Sequence, residues 1–284
     1  MLDVLTDTLL DVVRLIPFLF LAYLAMECLE HKAGDGTRKL IRWAGGRGRI
    51  HAGPVIGGLL GAVPQCGFSA AASNLYAGRV ISLGTLIAVY LSTSDEMLPI
   101  LISERAPVKT ILAILLSKAL IGTAAGMVID CAVRRRGRER EGCIHDICEK
   151  EHCHCEQGIV RSALSHTARI AFFILLVTLV LNLALHFAGE DALAGMLLNR
   201  PVLGPMLAGL VGLIPNCAGS VAITQLYLEG AMGMGSALAG LLAGSGVGLL
   251  VLFRANRDKR ENLMILGLLY GIGVAVGIVA ELLW

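Results

Sequence analysis

The chain of 284 residues is 56% hydrophobic and only 16% charged, with a mean hydropathy of +0.73, which excludes an ordinary soluble domain and marks an integral membrane protein. Its 24 basic and 22 acidic residues leave a net charge of +2; the bases gather in a few loops, so they set membrane orientation and offer no nucleic-acid surface. The sequence has neither a Walker-type GxxxxGKS/T loop nor a soluble stretch long enough for an ATPase domain, which argues against direct coupling to ATP.

The first residues, MLDVLTDTLLD, carry acids where a signal peptide needs bases, and no small-residue cleavage site follows, so the first apolar run is expected to remain. Runs near the ~20 residues needed to cross a hydrocarbon core cover 8–29, 81–102, 110–130, 165–187, 232–253 and 262–283. Between them, GPVIGGLLGAVPQCGFSAAASNLYAG from Gly53 to Gly78 returns 151 residues later as GPMLAGLVGLIPNCAGSVAITQLYLE from Gly204 to Glu229. Without a gap, 53–130 against 204–281 gives 25 identities in 78 positions, Pro64/Pro215, Cys66/Cys217 and Tyr76/Tyr227 among them. Internal repeats interrupted by Pro and Gly at matching places point to a secondary transporter and to its binding site.

Each Pro-Cys segment has a helix-breaking Pro at its centre and about 16 Å of helix on either side, half a membrane. It either spans once with a kink or turns at the midplane and leaves by the side it entered. The positive-inside rule chooses. The basic loops at 30–52 (Lys32, Arg38, Lys39, Arg42, Arg47, Arg49), 132–161 (Arg134, Arg135, Arg136, Arg138, Arg140) and 254–260 (Arg254, Arg257, Lys259, Arg260) all fall in the cytoplasm only if both segments are re-entrant hairpins. The expected fold is therefore an all-α integral membrane protein built as an inverted repeat, each half three transmembrane helices plus one re-entrant, broken-helix hairpin. Residues 1–131 form the first repeat, with its hairpin at 53–79; 132–161 is a cytoplasmic Cys/His-rich loop; and 162–284 is the second repeat, with its hairpin at 204–230. Of the 8 Cys, four lie in apolar segments and four crowd one basic loop, which fits reduced thiols better than disulfides.

Polar residues at membrane depth are costly and mark functional sites by default. Ser92, Ser94, Asp95, Glu96 and Met97 sit within an apolar span, and Pro99, with no N–H for the carbonyl four residues back, opens the helix beside them. The matching stretch around Ser245 is Gly-rich and favours a break too. Lys118, at a similar depth on the next span, either pairs with Asp95 or snorkels to the surface. At the hairpin tips Gln65, Cys66, Asn216 and Cys217 offer amide and thiol groups, followed by Ser69, Asn74, Ser220 and Gln225. Asp95, Glu96, Cys66 and Cys217 are the candidate metal ligands of a transport site: thiols select soft ions, carboxylates and carbonyls harder ones. The loop carrying Cys143, His145, Cys148, His152, Cys153, His154 and Cys155 has the density of a thiolate/imidazole metal site, although its spacing matches no standard zinc module; the alternative is a loop with incidental metal affinity.

Taken together, PQCGFSAAASNLYAGR, LSTSDEMLPI and HCHCEQGIVRSALSHT resemble, over nearly the full chain, the bacterial ten-span heavy-metal exporters related to arsenic permeases, some of which are called manganese transporters. The resemblance implies efflux of a metal or metalloid, a multi-pass protein of the bacterial inner membrane, and no enzyme activity. It implies no resident cofactor beyond the transported ion and any metal held by the loop. The ligand set, with two carboxylates and a lysine, leans to a divalent metal such as manganese exchanged for protons. Trivalent arsenic efflux, a passive metal channel and a membrane metal sensor stay open, as do the coupling ion and whether the unit in the lipid bilayer is one chain or a homo-oligomer.

Overall fold

The computed structural model describes residues 9–10, 12–13, 16–17, 20–21, 24, 52–62, 66–94, 97–135, 159–188, 202–215, 217–256 and 258–283. They form helices and no strand: α1 (Ala52–Gly61), α2 (Cys66–Ala77), α3 (Leu83–Ser92), α4 (Met97–Ser103), α5 (Val108–Arg135), α6 (Ile159–Ala188), α7 (Leu203–Gly212), α8 (Cys217–Leu228), α9 (Met234–Ala243), α10 (Gly248–Ala255) and α11 (Lys259–Leu283). The starts of α1 to α5, at 52, 66, 83, 97 and 108, reappear 151 residues later as 203, 217, 234, 248 and 259, the starts of α7 to α11.

Among the described residues, four stretches are long and apolar enough to cross a membrane: Leu83–Ser103, Val108–Arg135, Met234–Ala255 and Lys259–Leu283. They coincide with four of the six expected spans. A fifth, 165–187, lies within the 30-residue α6. On α5 the polarity of a soluble helix is reversed. Leu112, Leu116, Leu120 and Val128 point outward, where lipid would cover them, while Ile114, Lys118, Gly122 and Gly126 are buried at four-residue spacing. Of the first expected span, Val12 is buried with Ala70, Ile174, Val247 and Val251, and Phe20 and Leu24 pack on the same cluster, so this segment seats against α2, α6 and α10.

Small residues set the packing. A Cβ on Gly84 would collide with the Gly126 carbonyl and one on Gly126 with the Gly84 carbonyl; Gly235 and Gly277 stand in the same relation. Only glycine lets α3 approach α5, and α9 approach α11, this closely, the usual device of helix pairs that cannot rely on water exclusion. Each contact ends in a carboxylate from the longer helix: Asp130 accepts from the Gly84 N–H at 2.7 Å and from Ser82 Oγ at 2.7 Å, and Glu281 accepts from the Ser236 N–H at 3.0 Å. Both acids meet a helix N-terminus, the positive end of its dipole.

α1 runs beside α3 in the same sense. Gly57 abuts Thr85 and Val89, Gly61 abuts Ser92, and Pro54 lies where Gly126 meets Gly84. α2 ends at Ala77, six positions before α3 begins at Leu83. In the second set, Gly209 abuts Val274 and Gly212 abuts Gly240, the repeat equivalents of Gly58 against Thr123 and Gly61 against Val89. The two sets cross over: α2 packs on α10, α8 on α4, and α3 meets α9. Leu86, Ile87 and Leu91 of α3 join Leu238 and Leu242 of α9 and Ile265 and Leu269 of α11 in one core.

Candidate functional site

The expected breaks are present. α3 ends at Ser92 and α4 starts at Met97, with Pro99 in its first turn, where the missing N–H costs nothing. α9 ends at Ala243 and α10 starts at Gly248, across Gly246 with φ of 53°. A helix end strands carbonyls that have no following N–H. Side-chain hydroxyls reinforce the last turn of α3: Ser92 Oγ donates to the Ala88 carbonyl and Thr93 Oγ1 to that of Val89, each at 2.7 Å.

Lys118 adds a charged donor. Its side chain is 1% exposed, and its ammonium donates to the carbonyl of Thr93, just past the end of α3, and to that of Leu241, in the last turn of α9, at 2.8 Å. An ammonium has three donors and no acceptor, and both helix C-termini carry partial negative charge. The cation thus sits where two helix dipoles converge, and it bonds across the two repeated sets. Burial at this level removes the snorkelling alternative. Beside it lies a cavity of about 20 Å³, enough for about one water-sized occupant. Thr93, Ser94, Met97, Lys118, Ser220 and Leu241 line it, with Gly212, Gly240, Gly244 and Gly246 bringing backbone close.

The repeat is not symmetric here. The position equivalent to Lys118 is Leu269, buried in the apolar core, and that equivalent to Leu241 is Tyr90. Tyr90 belongs to a separate polar knot: its hydroxyl and that of Ser73 lie 2.6 Å apart and share the Gly248 carbonyl at 3.1 and 2.7 Å, while Ser73 Oγ also lies 2.6 Å from the Ser69 carbonyl.

Of the residues singled out in the sequence, Ser94, Met97, Lys118 and Ser220 meet at the cavity. Ser69, Asn74, Ser92 and Ser245 are buried in the helices or their breaks and are not among the residues that line it. Gln225 is exposed and is not among the lining residues, so the match with Asn74 in the repeat does not carry into a shared environment. Cys66 and Cys217 open α2 and α8, their side chains outside the description. Gln65, Asp95, Glu96 and Asn216, and the loop with Cys143, His145, Cys148, His152, Cys153, His154 and Cys155, lie outside the described residues. Among the described residues no three His, Cys, Asp or Glu side chains group as metal ligands. Thr93 belongs to the polar run from Ser92 to Met97 singled out in the sequence, whereas Leu241 contributes only a main-chain carbonyl, which no residue type announces.

Membrane-length apolar helices closed around a buried cation define a multi-pass membrane protein. Residues 1–190 match the family model described as "Putative, 10TM heavy-metal exporter", and the chain belongs to this family of transporters. No curated protein and no solved structure matches it.

Proposed function

We propose that the protein is a secondary-active efflux transporter of the bacterial inner membrane that carries a divalent heavy metal such as manganese in exchange for protons. The observation that carries this reading is the Lys118 ammonium held between the C-terminal ends of α3 and α9: the protein's buried centre is organised to hold positive charge. Asp95 and Glu96 follow Thr93 and Ser94 directly in the chain, and carboxylates with carbonyls are the ligands hard divalent cations prefer.

On this reading residues 1–131 and 162–284 are inverted repeats with re-entrant hairpins at 53–79 and 204–230, and 132–161 is a cytoplasmic loop that captures metal. Support comes from the short α1–α2 pair, the matching α7–α11 set and the three basic loops that the positive-inside rule puts on one side. Irregular backbone at membrane depth is tolerated where it lines a cavity, which is where both helix breaks lie. A second reading, trivalent arsenic efflux, draws on Cys66 and Cys217, paired thiols at the starts of α2 and α8.

Reconstituted vesicles test the reading. With Mn2+ inside and a pH-sensitive dye, a proton-coupled exporter moves metal out with a matching pH change. A channel equilibrates Mn2+ without that change, a sensor moves nothing, and arsenite movement without Mn2+ movement favours the second reading.

A further inference from the structure

We infer that the main-chain carbonyls of Thr93 and Leu241 are ligands of the transported cation, and that Lys118 is a tethered cation which holds this site until the metal displaces it. The inference rests on the divalent-metal reading above and adds to it the place of binding and the competitor. Neither carbonyl would be sought from its side chain. Both are left over where a helix stops, one in each repeated set, and both bond to the same ammonium. Carbonyl oxygens stranded at two helix C-termini, away from water, need a positive partner. Any cation that reaches them meets that need, and a divalent metal meets it with more charge. The cavity beside Lys118 gives an arriving ion about 20 Å³ of room and the hydroxyls of Ser94 and Ser220 on its wall.

The exchange needs no proton transfer. Lys118 stays an ammonium, swings on its four-carbon stem out of the carbonyl pair as the metal enters, and returns as it leaves. The site therefore never stands empty, which avoids the cost of uncompensated helix ends in a low-dielectric setting. Because Thr93 lies on the α3 side and Leu241 on α9, whichever cation is present also ties the two sets together. Leu269, at the repeat-equivalent position, has no charge to play this part, so the second set does not repeat the device there.

Intramolecular competition weakens apparent affinity by the fraction of time the competitor leaves the site free. If Lys118 occupies it about 90 to 99% of the time, its removal tightens binding about 10- to 100-fold. Mn2+ binding to the purified full chain in detergent is measured by calorimetry for wild type, Lys118→Met and Lys118→Gln, each checked by thermal unfolding. Lys118→Gln keeps N–H donors for the carbonyls and loses the charge, so it serves if the methionine variant does not fold. The Cys/His loop is common to all three and cancels in the comparison. The expected result is tighter Mn2+ binding by a folded variant than by wild type. A folded Lys118→Gln that binds Mn2+ no more tightly than a wild type able to transport it overturns the inference and leaves the transport reading standing. Wild type and variants that all fail to bind or move Mn2+ overturn both.

Discussion

Arg79 should be replaceable by glycine at roughly half the cost of its replacement by alanine, and the difference measures strain retained for the sake of an ion pair. The residue follows α2 with φ of 56°, and its repeat-equivalent after α8 is Gly230 with φ of 73°. The turn is the same in both places. Val80 N donates to the Leu75 carbonyl and Ala231 N to that of Leu226, at 2.8 and 2.9 Å, a left-handed helix cap that normally uses glycine. A side chain in this region costs ~1 kcal/mol or more.

In return, Arg79 makes a two-pronged bridge to Glu261 at 2.8 and 2.7 Å and lies over the Tyr76 ring at 5.2 Å. Tyr76 OH donates to the same carboxylate at 2.5 Å, and Asn256 Nδ2 at 3.1 Å. The charged side chains are 21% and 17% exposed, between a surface pair worth ~0.2 to 1 kcal/mol and a buried one whose breakage costs ~3 to 5; about 2 kcal/mol is a fair midpoint. Arg79→Ala then loses about 2 kcal/mol, while Arg79→Gly loses the same bridge and recovers ~1 from the backbone. At roughly 2 to 4 °C per kcal/mol, thermal unfolding in detergent should fall by about 6 °C for alanine and about 3 °C for glycine. Equal losses would refute the strain argument. A double variant with Glu261→Gln whose loss equals the sum of the single losses would refute the coupling.

Gly84→Ala and Gly235→Ala should each lower stability by about 1 to 3 kcal/mol, because the new methyl meets the backbone of Gly126 or Gly277; a melting point unchanged in both would show that α3–α5 and α9–α11 are less tightly held than described. In a cysteine-free background, Ala52→Cys and Ile81→Cys should be labelled by impermeant maleimide from the cytoplasm, and Val202→Cys and Glu229→Cys from outside; opposite-side labelling within either pair would turn that hairpin into a span. Asp95→Asn should reduce Mn2+ transport below detection in vesicles, and residual wild-type rates would remove the carboxylate from the path. Deleting Cys143–Cys155 should weaken apparent substrate affinity and leave transport running; complete loss in a protein that still inserts normally would move the site to the loop.

The helix breaks were legible in the sequence because they are local chemistry. A proline four residues after a carbonyl, or a run of glycines, interrupts a helix wherever it is placed, and the ungapped repeat named both positions and matches the helix starts from α7 to α11. The burial of Lys118 at a helix break could likewise be anticipated from its depth in an apolar span. The carbonyls of Thr93 and Leu241 that Lys118 meets could not: a carbonyl is common to all residues, so only the end of a helix in space distinguishes one from another. Gln225 repeats Asn74 in the sequence and yet faces outward, since identity of position within a repeat does not fix which neighbour covers it. Arg79 and Glu261 stand 182 residues apart at positions whose equivalents, Gly230 and Thr110, carry no charge, so no repeat pattern could pair them. Residues along the chain decide where a helix stops, but which charge comes to lie at its end depends on how the two halves cross, and that is settled by the close glycine contacts and shared core of the assembled bundle.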